Sequence, residues 1–134
     1  MYQFNGWFEL CERTDGEDED LTLLPALAGL AALVDRLRWP TGNADMVSYN
    51  WCHYLRLTGV AQRHRGSEAD DIDSLLSFIS VKLPGSYGLL YERSDEDSDR
   101  MLGPDLFVVR VMARGTVQTR LDPFLSPMQS AIRI

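Results

Sequence analysis

The segment Pro84–Asp99 has the sequence PGSYGLLYERSDEDSD, and it contains three different signals for the fold. Pro84 and Gly85 end a helix in a turn, because proline cannot continue a helix and glycine tolerates the conformation of a turn. The residues from Tyr87 to Arg93 have the composition of a short strand. The acidic run after them is typical of an exposed loop. The segment therefore predicts a rigid strand that carries a charged loop, which suits binding better than catalysis.

Helical and strand patterns alternate on both sides of this segment. Apolar residues recur at spacings of three and four over Thr22–Arg38, with Thr22 as the N-cap, and a second helix begins at the capping-box pattern Ser67–Asp70. Thr41–Asn43 is predicted to form a turn. Strands are predicted over residues 2–13, 45–49, 51–64, 87–93, 106–113 and 117–121. In the first strand, four apolar side chains share the face that we expect to be buried: Tyr2, Phe4, Phe8 and Leu10.

The resulting order is strand, helix, strand, strand, helix, strand, followed by one further hairpin. A β-α-β-β-α-β order is the signature of the ferredoxin-like sandwich. We therefore predict an α+β fold in which an antiparallel sheet has two helices on one face, with a C-terminal hairpin added. The length of 134 residues predicts a single domain over residues 1–134.

The charge of the chain restricts the class of its partner. The formal net charge is −7, which argues against nucleic acid or an anionic membrane. The stretches Glu9–Asp20, Glu68–Asp73 and Glu92–Asp99 hold 16 of the 20 acidic residues. In the predicted topology the second and third stretches converge at one end of the sheet, and the first lies at the opposite end. Each stretch taken alone is typical of a solvated loop or a helix start, and the three together make a basic protein partner a reasonable hypothesis.

The sequence contains no segment typical of secretion or of a membrane span. The first residues lack a basic and apolar signal sequence, and no apolar run approaches the roughly 20 residues that a membrane helix needs. The two cysteines are too few for a disulfide scaffold and lack the spacing of a zinc site. We therefore expect a cytoplasmic protein that is a monomer or a weak homodimer.

No motif in the sequence predicts catalysis, a cofactor or a metal. Cys52 and His53 are neighbours in a predicted strand, so their side chains point to opposite faces and cannot act as a nucleophile and its base. A pairing of Cys11 with His53 has no further support. The acids of Asp95–Asp99 lack the glycine and the distal glutamate of an EF-hand loop. We predict a protein that is not an enzyme.

The aromatic residues are interpreted mainly as core or half-buried residues of the sheet. Tyrosine and tryptophan are also the usual hot-spot residues of protein interfaces, and Tyr91 directly precedes the acidic run. Tyr91 is therefore the candidate anchor for a partner. The six aromatic residues considered are Trp7, Tyr49, Trp51, Tyr54, Tyr87 and Tyr91.

Several short strings along nearly the whole chain carry a resemblance to a known family. In chain order they are Asn5–Trp7, His64–Gly66, Pro84–Tyr91 with its acidic loop, Ala113–Gly115 and Asp122–Pro127. The longest are PGSYGLLY and DPFLSP. With these strings the chain resembles the immunity protein seven family of bacterial polymorphic toxin and contact-dependent inhibition systems.

The resemblance implies a small cytoplasmic protein that binds and neutralises the C-terminal domain of a cognate toxin, with neither catalysis nor a cofactor. The toxin of such systems is commonly a nuclease, and a nuclease needs a basic surface for its substrate. An inhibitor with acidic loops can mask that surface, either in the active site or beside it. The predicted toxin-binding residues are the anchor and six acids: Tyr91, Asp70, Asp71, Asp73, Asp95, Glu96 and Asp97.

Two other interpretations stay open at this point. The same architecture is used by regulatory domains that bind a small molecule at a sheet edge or a dimer interface, and a deep pocket lined by aromatic residues would favour that function. An enzyme that uses His53 or His64 is the third class.

Overall fold

A six-stranded antiparallel sheet and two helices make up the described part of the fold. The structure is a computed structural model that describes residues 1–13, 20–61, 67–94 and 107–121. The predicted α+β class is confirmed. In chain order the elements are β1 (Tyr2–Glu9), α1 (Asp20–Asp35), β2 (Gly42–Tyr49), β3 (Cys52–Ala61), α2 (Ser67–Lys82), β4 (Tyr87–Ser94), β5 (Phe107–Ala113) and β6 (Thr116–Leu121).

Strand β1 lies in the middle of the sheet. The strand order is β2-β3-β1-β4-β5-β6, and every neighbouring pair is antiparallel. Each residue of β1 is paired on both sides, so that Tyr2 lies opposite Ala61 of β3 and Ser94 of β4. The pairing runs without a bulge through Gly6, where a Cβ atom would lie only 2.6 Å from the carbonyl oxygen of Leu89. Gly6 is therefore a site of close backbone approach.

One hydrophobic core joins the sheet to both helices. The predicted buried face of β1 is confirmed, because all four of its apolar side chains are buried. Alternate residues of β3 and β4 continue the same face, since side chains along a strand alternate between the two faces of a sheet. The main contributors are Tyr2, Phe4, Phe8, Leu55, Leu57 and Leu90 from the sheet, Leu23, Leu27 and Leu30 from α1, and Ile72, Leu75, Leu76 and Ile79 from α2.

Helix α1 begins earlier than the sequence predicts. It begins at Asp20, so Thr22 lies inside the helix and is not its N-cap. Pro25 then falls in the second turn, where its missing N–H removes one helical hydrogen bond. The side chain of Thr22 instead donates a hydrogen bond to Glu12. The predicted N-cap at Thr22 is therefore wrong, because Thr22 lies within the helix and its hydroxyl bonds to Glu12 across the chain.

Strand β2 also begins earlier than predicted, at Gly42 instead of residue 45. Gly42 lies directly opposite Gly59 of β3, and the aromatic ring of Phe4 occupies the space that side chains would take. A Cβ atom at Gly59 would be 2.6 Å from the ring of Phe4. The predicted turn at Thr41–Asn43 is therefore wrong, since two glycines without side chains allow the strand pairing to continue under the ring.

The turn between α2 and β4 fastens the chain to the residues that follow β1. Ser86 is buried, and its hydroxyl accepts a hydrogen bond from the Cys11 amide at 3.0 Å and donates one to the Cys11 carbonyl at 3.3 Å. Gly85 donates its amide to the Glu12 carbonyl at 3.3 Å. A Cβ atom at Gly85 would lie 2.1 Å from the carbonyl oxygen of Arg13. Close approach of two backbones is therefore what requires a glycine here.

We predict that Ser86→Ala lowers the free energy of unfolding by about 1–3 kcal/mol, because it removes two hydrogen bonds from a buried site. Urea denaturation of the purified chain would measure the change. Ser74→Ala, at an exposed position of α2, is the matched control and should change the free energy by less than about 0.5 kcal/mol. Equal stability of the two variants would contradict a structural role for the Ser86 hydroxyl.

Several predicted features lie outside the described residues. They are the acidic loop before α1, His64, the acids Asp95–Asp99 and the proline-rich segment Asp122–Pro127.

Candidate protein-binding surface

The antiparallel register gives the sheet two ends and a face opposite the core. We call the edge with Tyr2, Ala61, Ser94 and Phe107 the Ser94 end, and the edge with Glu9, Trp51, Tyr87 and Gly115 the Trp51 end. The side chains that alternate with the core residues form the second face. The second face includes Trp7 and Glu9 of β1, Tyr54 of β3, and Tyr87, Leu89 and Tyr91 of β4.

The three predicted acids of α2 have different environments. Asp70 is exposed. Asp71 accepts a hydrogen bond at 2.8 Å from the indole nitrogen of Trp39, whose ring packs edge-on against Phe4 with 5.3 Å between centroids. Asp73 accepts a hydrogen bond at 2.6 Å from the guanidinium of Arg110. Asp71 and Asp73 therefore hold parts of the fold together, and Asp70 is exposed without such a bond among the described residues.

Arg110 joins α2 to a buried carboxylate of the sheet. Glu92 is 1% exposed, and its carboxylate accepts hydrogen bonds from Arg110 and, at 2.7 Å, from the hydroxyl of Tyr2. Burial alone would lower the pKa of Arg110, but the charge and hydrogen bonds of Glu92, and then those of Asp73, raise its pKa above the ordinary value. The arginine is therefore permanently charged and compensates two carboxylates. Acids from the second and third acidic stretches thus meet at one guanidinium, as the topology predicts.

We predict that Arg110→Ala lowers the free energy of unfolding by about 3–5 kcal/mol, because it leaves the buried Glu92 carboxylate without its cation. Arg120→Ala on neighbouring β6 is the matched control. Its side chain is exposed and hydrogen-bonds to Gln118, so its removal should cost less than about 0.5 kcal/mol. Chemical denaturation of both variants provides the comparison, and similar losses would contradict a buried ion pair at Glu92.

Tyr91 lies on the second face towards the Ser94 end. It is half-buried and paired with Asn5 of β1 and Val109 of β5. It forms part of the wall of an open concavity of about 850 Å³. The concavity has amide and hydroxyl groups on one side and aromatic rings on the other. Its principal lining residues are Gln3, Asn5, Asn43, Thr58, Tyr91 and Phe107.

The remaining predicted acids, Asp95, Glu96 and Asp97, lie outside the described residues. The connection that contains them leaves β4 at Ser94 and enters β5 at Phe107. Arg93 and Phe107 form the last described pair of these two strands. The connection is therefore anchored at the Ser94 end, beside Tyr91.

The interpretation of the aromatic residues as mainly core or half-buried is wrong for four of the six. Trp7 is 47% exposed, Tyr87 46%, Tyr49 69% and Trp51 98%. All four lie in the half of the sheet nearest the Trp51 end. The sequence could not show this, because an aromatic residue in an alternating strand fits either face. The signal that was available is the pair Asn50-Trp51 between two strands, since a hairpin tip of two residues is necessarily exposed.

Glu9 is the centre of a second group of tyrosine–carboxylate hydrogen bonds. It lies opposite Tyr54 of β3 and Tyr87 of β4. Tyr54 donates its hydroxyl to one carboxylate oxygen at 3.1 Å, and Tyr87 donates to the other. The hydrogen bond to Glu9 is the largest cause that raises the pKa of Tyr54 to about 12, and partial burial and the nearby Cys52 add to it. The proton of Tyr54 therefore stays on its phenol up to high pH.

We predict that Glu9→Gln moves the pKa of Tyr54 from about 12 towards the ordinary value of about 10. Ultraviolet titration of phenol ionisation, with Tyr54→Phe to identify the signal, would measure it. Because the folded-state pKa is raised, this group's contribution to stability is complete below about pH 10 and is lost as the pH rises through about 12. A Tyr54 that ionises with the ordinary pKa in the unmodified chain would contradict the hydrogen bond to Glu9.

His53 is the one histidine within the described ranges, and it contacts a hydroxyl of the β2–β3 hairpin. His53 Nδ1 lies 2.8 Å from the Ser48 hydroxyl, and no three His, Cys, Asp or Glu side chains of the described ranges are placed to hold a metal ion. Within the same ranges, neither helix has the length and apolar character needed to cross a membrane. The described residues leave exposed Asp70 on α2 and four aromatic side chains in the half of the sheet nearest the Trp51 end.

Comparison with known families identifies the class of protein to which these surfaces belong. The model of a family described as Immunity protein 7 matches residues 1–133. The chain therefore belongs to the immunity protein 7 family, and the resemblance inferred from the short strings is confirmed. Membership indicates an immunity protein, which acts by binding a cognate toxin protein. No match was found among curated proteins or among solved structures.

Proposed function

We propose that this protein binds the C-terminal domain of a cognate bacterial toxin in the cytoplasm of the producing cell and neutralises it without catalysis. The observation that carries the proposal is the match of the immunity protein 7 family to residues 1–133. The net charge of −7 and the exposed aromatic residues support it, because a charged and aromatic surface is typical of specific protein recognition.

The proposed target is a nuclease, and the proposed mode of inhibition is masking of its basic surface. A nuclease must attract phosphate groups, so its active site has positive charge that an acidic protein can neutralise. The predicted contact residues, Asp70, Asp71, Asp73, Tyr91, Asp95, Glu96 and Asp97, belong to this proposal. Among them, Asp71 and Asp73 act through the field, because their carboxylates already have partners within the chain.

We extend the proposal to the finer classification of the fold. The order β2-β3-β1-β4 and the shared core of both helices support a ferredoxin-like unit with both helices on one face, to which β5 and β6 are added. In that unit the second face of the sheet has no helix on it. The second face is thus available for a partner.

A small-molecule-binding regulatory domain is the second candidate function. The concavity of about 850 Å³ beside Tyr91 is the observation that favours it. It is an open depression with amide groups along one wall, which suits a loop of a protein partner as well as a ligand. Rescue from a toxin by this chain alone, without an added small molecule, separates the two functions.

We predict that co-expression of this chain with the C-terminal domain of the toxin encoded beside it restores growth and that the two proteins co-purify. A toxin domain from an unrelated system is the control and should remain lethal. Loss of growth together with failure to co-purify with the cognate domain would contradict the proposed function.

We also predict that charge reversal of Asp95 and Asp97 to lysine lowers the association rate by about 10-fold at low ionic strength, because opposite fields accelerate encounter. The difference should shrink as salt screens the charges. Asp35→Lys, at an exposed position of α1, is compared with the single variant Asp95→Lys, which changes the net charge by the same amount. Stopped-flow or surface-based kinetics over a salt series measures the rates, and an unchanged rate would show that these acids are only solvated surface.

A further inference from the structure

Trp51 is in a backbone conformation that its side chain does not favour. Asn50 and Trp51 are the two central residues of the β2–β3 hairpin, with φ values of 50° and 67°. Positive φ at both central positions is the signature of a type I′ turn, which prefers asparagine first and glycine second. Asn50 fits that preference. Trp51 does not, because a bulky L residue in the left-handed region is an outlier that brings its Cβ atom close to the backbone.

The side chain of Trp51 adds almost no buried surface to the fold in this conformation. Trp51 is 98% exposed, so its indole buries almost no surface against the rest of the chain. Tyr49, on the other side of the turn, is 69% exposed. Two large aromatic side chains at the tip of one hairpin are therefore held in water, one of them by a disfavoured backbone. Tryptophan and tyrosine are the residues that contribute most to binding when a partner buries them.

The carboxylate of Glu9 lies beside this hairpin on the second face. Its cross-strand neighbours Tyr54 and Tyr87 both donate hydroxyl hydrogens to it. Trp7, two residues earlier on the same strand, shares its face and is 47% exposed. Two tyrosines thus contact the carboxylate, and a third aromatic side chain lies on the same face. Carboxylates and aromatic faces both attract a guanidinium or an ammonium group.

Glu92 in the core also accepts a tyrosine hydrogen bond, but among the described residues it differs from Glu9 in having an arginine partner. Each of the two carboxylates accepts a tyrosine hydroxyl, from Tyr2 at Glu92 and from Tyr54 at Glu9. Glu92 additionally pairs with Arg110. Within the part of the chain that the structure describes, no lysine or arginine pairs with Glu9. The donors at Glu9 are neutral hydroxyls, so its charge is left for a cation from outside.

We propose that the Trp51 end is a contact surface for the toxin domain, in which Glu9 and its aromatic neighbours receive an arginine or lysine side chain of the toxin while Trp51 anchors the hairpin tip against it. This inference rests on the proposed function and adds a contact surface that the acidic residues of the Ser94 end do not include. Its occupant is a basic protein surface, because the receiving group is anionic and the chain has a net charge of −7.

The new surface is continuous with the one around Tyr91. Tyr87, Leu89 and Tyr91 alternate along β4 and face the same side. Strand β1 has 8 residues, so the distance between the two ends is roughly 24 Å at about 3.4 Å per residue. A standard interface buries about 800 Å² on each partner, which corresponds to a patch of that width. One toxin domain on the second face can therefore contact both ends.

Two variants test the inference in complex with the toxin domain that this chain neutralises. Trp51→Gly should raise the Kd at least about 30-fold, the effect expected of a hot spot. The same variant should raise the Tm of the free protein by about 2–8 °C, because glycine suits the second position of the turn. A variant that is more stable yet binds more weakly cannot be explained by misfolding.

Glu9→Gln tests whether the Glu9 carboxylate receives a cationic side chain of the toxin domain. The variant should raise the Kd about 10-fold or more, because the toxin cation would then bond to a neutral amide in place of a carboxylate. It should also reduce the dependence of Kd on salt. Val81→Ala and Asp35→Asn are matched controls and should leave the Kd unchanged. Val81 is an exposed position of α2 that lies beside Arg110 and Val117, at the opposite edge of the sheet from the β2–β3 hairpin, and Asp35 is exposed on α1. Isothermal titration calorimetry over a salt series provides all of these values.

The outcomes that overturn the inference are distinct from failure of the proposed function. If the unmodified chain neutralises the toxin and both variants bind with unchanged Kd, the Trp51 end is not a contact surface and the proposed function stands. If the unmodified chain does not bind the toxin, both are overturned. If sedimentation shows a dimer that Trp51→Gly dissociates while the toxin affinity is unchanged, the hairpin binds a second copy of this chain, and the inference is again overturned.

Discussion

The pairing of β1 on both sides is the constraint on which the rest of the structure depends. Because β1 lies between β3 and β4, its register decides which side chains of three strands enter the core and which reach the second face. A shift of one residue would exchange the two sets. Close backbone approach at Gly6 and the fastening of Cys11 by Ser86 hold the strand in this register. The core and the proposed contact surface are therefore two results of one alignment.

Tyrosine–carboxylate hydrogen bonds occur at both ends of β1, and they serve different purposes. At the Ser94 end, Tyr2 and Arg110 satisfy the buried Glu92, which makes that group part of the fold. At the Trp51 end, Glu9 has two tyrosine donors and remains on an accessible face. The group at Glu92 is therefore buried and paired with a cation, whereas the group at Glu9 lies on the second face and has neutral hydroxyl donors. This difference is why we assign stability to the first group and recognition to the second.

The aspartates of α2 likewise divide into those that form hydrogen bonds within the fold and one that, in the described part of the chain, is exposed without such a bond. Asp71 and Asp73 carry negative charge at the Ser94 end, but their carboxylates also accept hydrogen bonds from Trp39 and Arg110, respectively. In the proposed complex their contribution is through the electrostatic field, which acts over about 10 Å at ordinary ionic strength. The same proposal assigns direct contact to Asp70, Tyr91 and the aromatic residues of the Trp51 end.

The sequence alone determined the α+β class, the buried face of β1, the course of α2 and the family, because each depends on local periodicity or on contiguous strings. It misplaced the start of α1, where Thr22 bonds to Glu12 across the chain, and the start of β2, where the Gly42–Gly59 pairing overrides the local turn signal. It suggested Tyr91 and the acids of α2 as contact residues, since charge and aromatic character can be read directly from a sequence. Only the tertiary structure decided that Asp71 and Asp73 are bonded within the chain, that Trp51 is exposed in a left-handed turn, and that Glu9 accepts the hydroxyls of two tyrosines. Those properties depend on which face of a strand is covered and on which residues of distant strands become neighbours, and no local pattern contains that information.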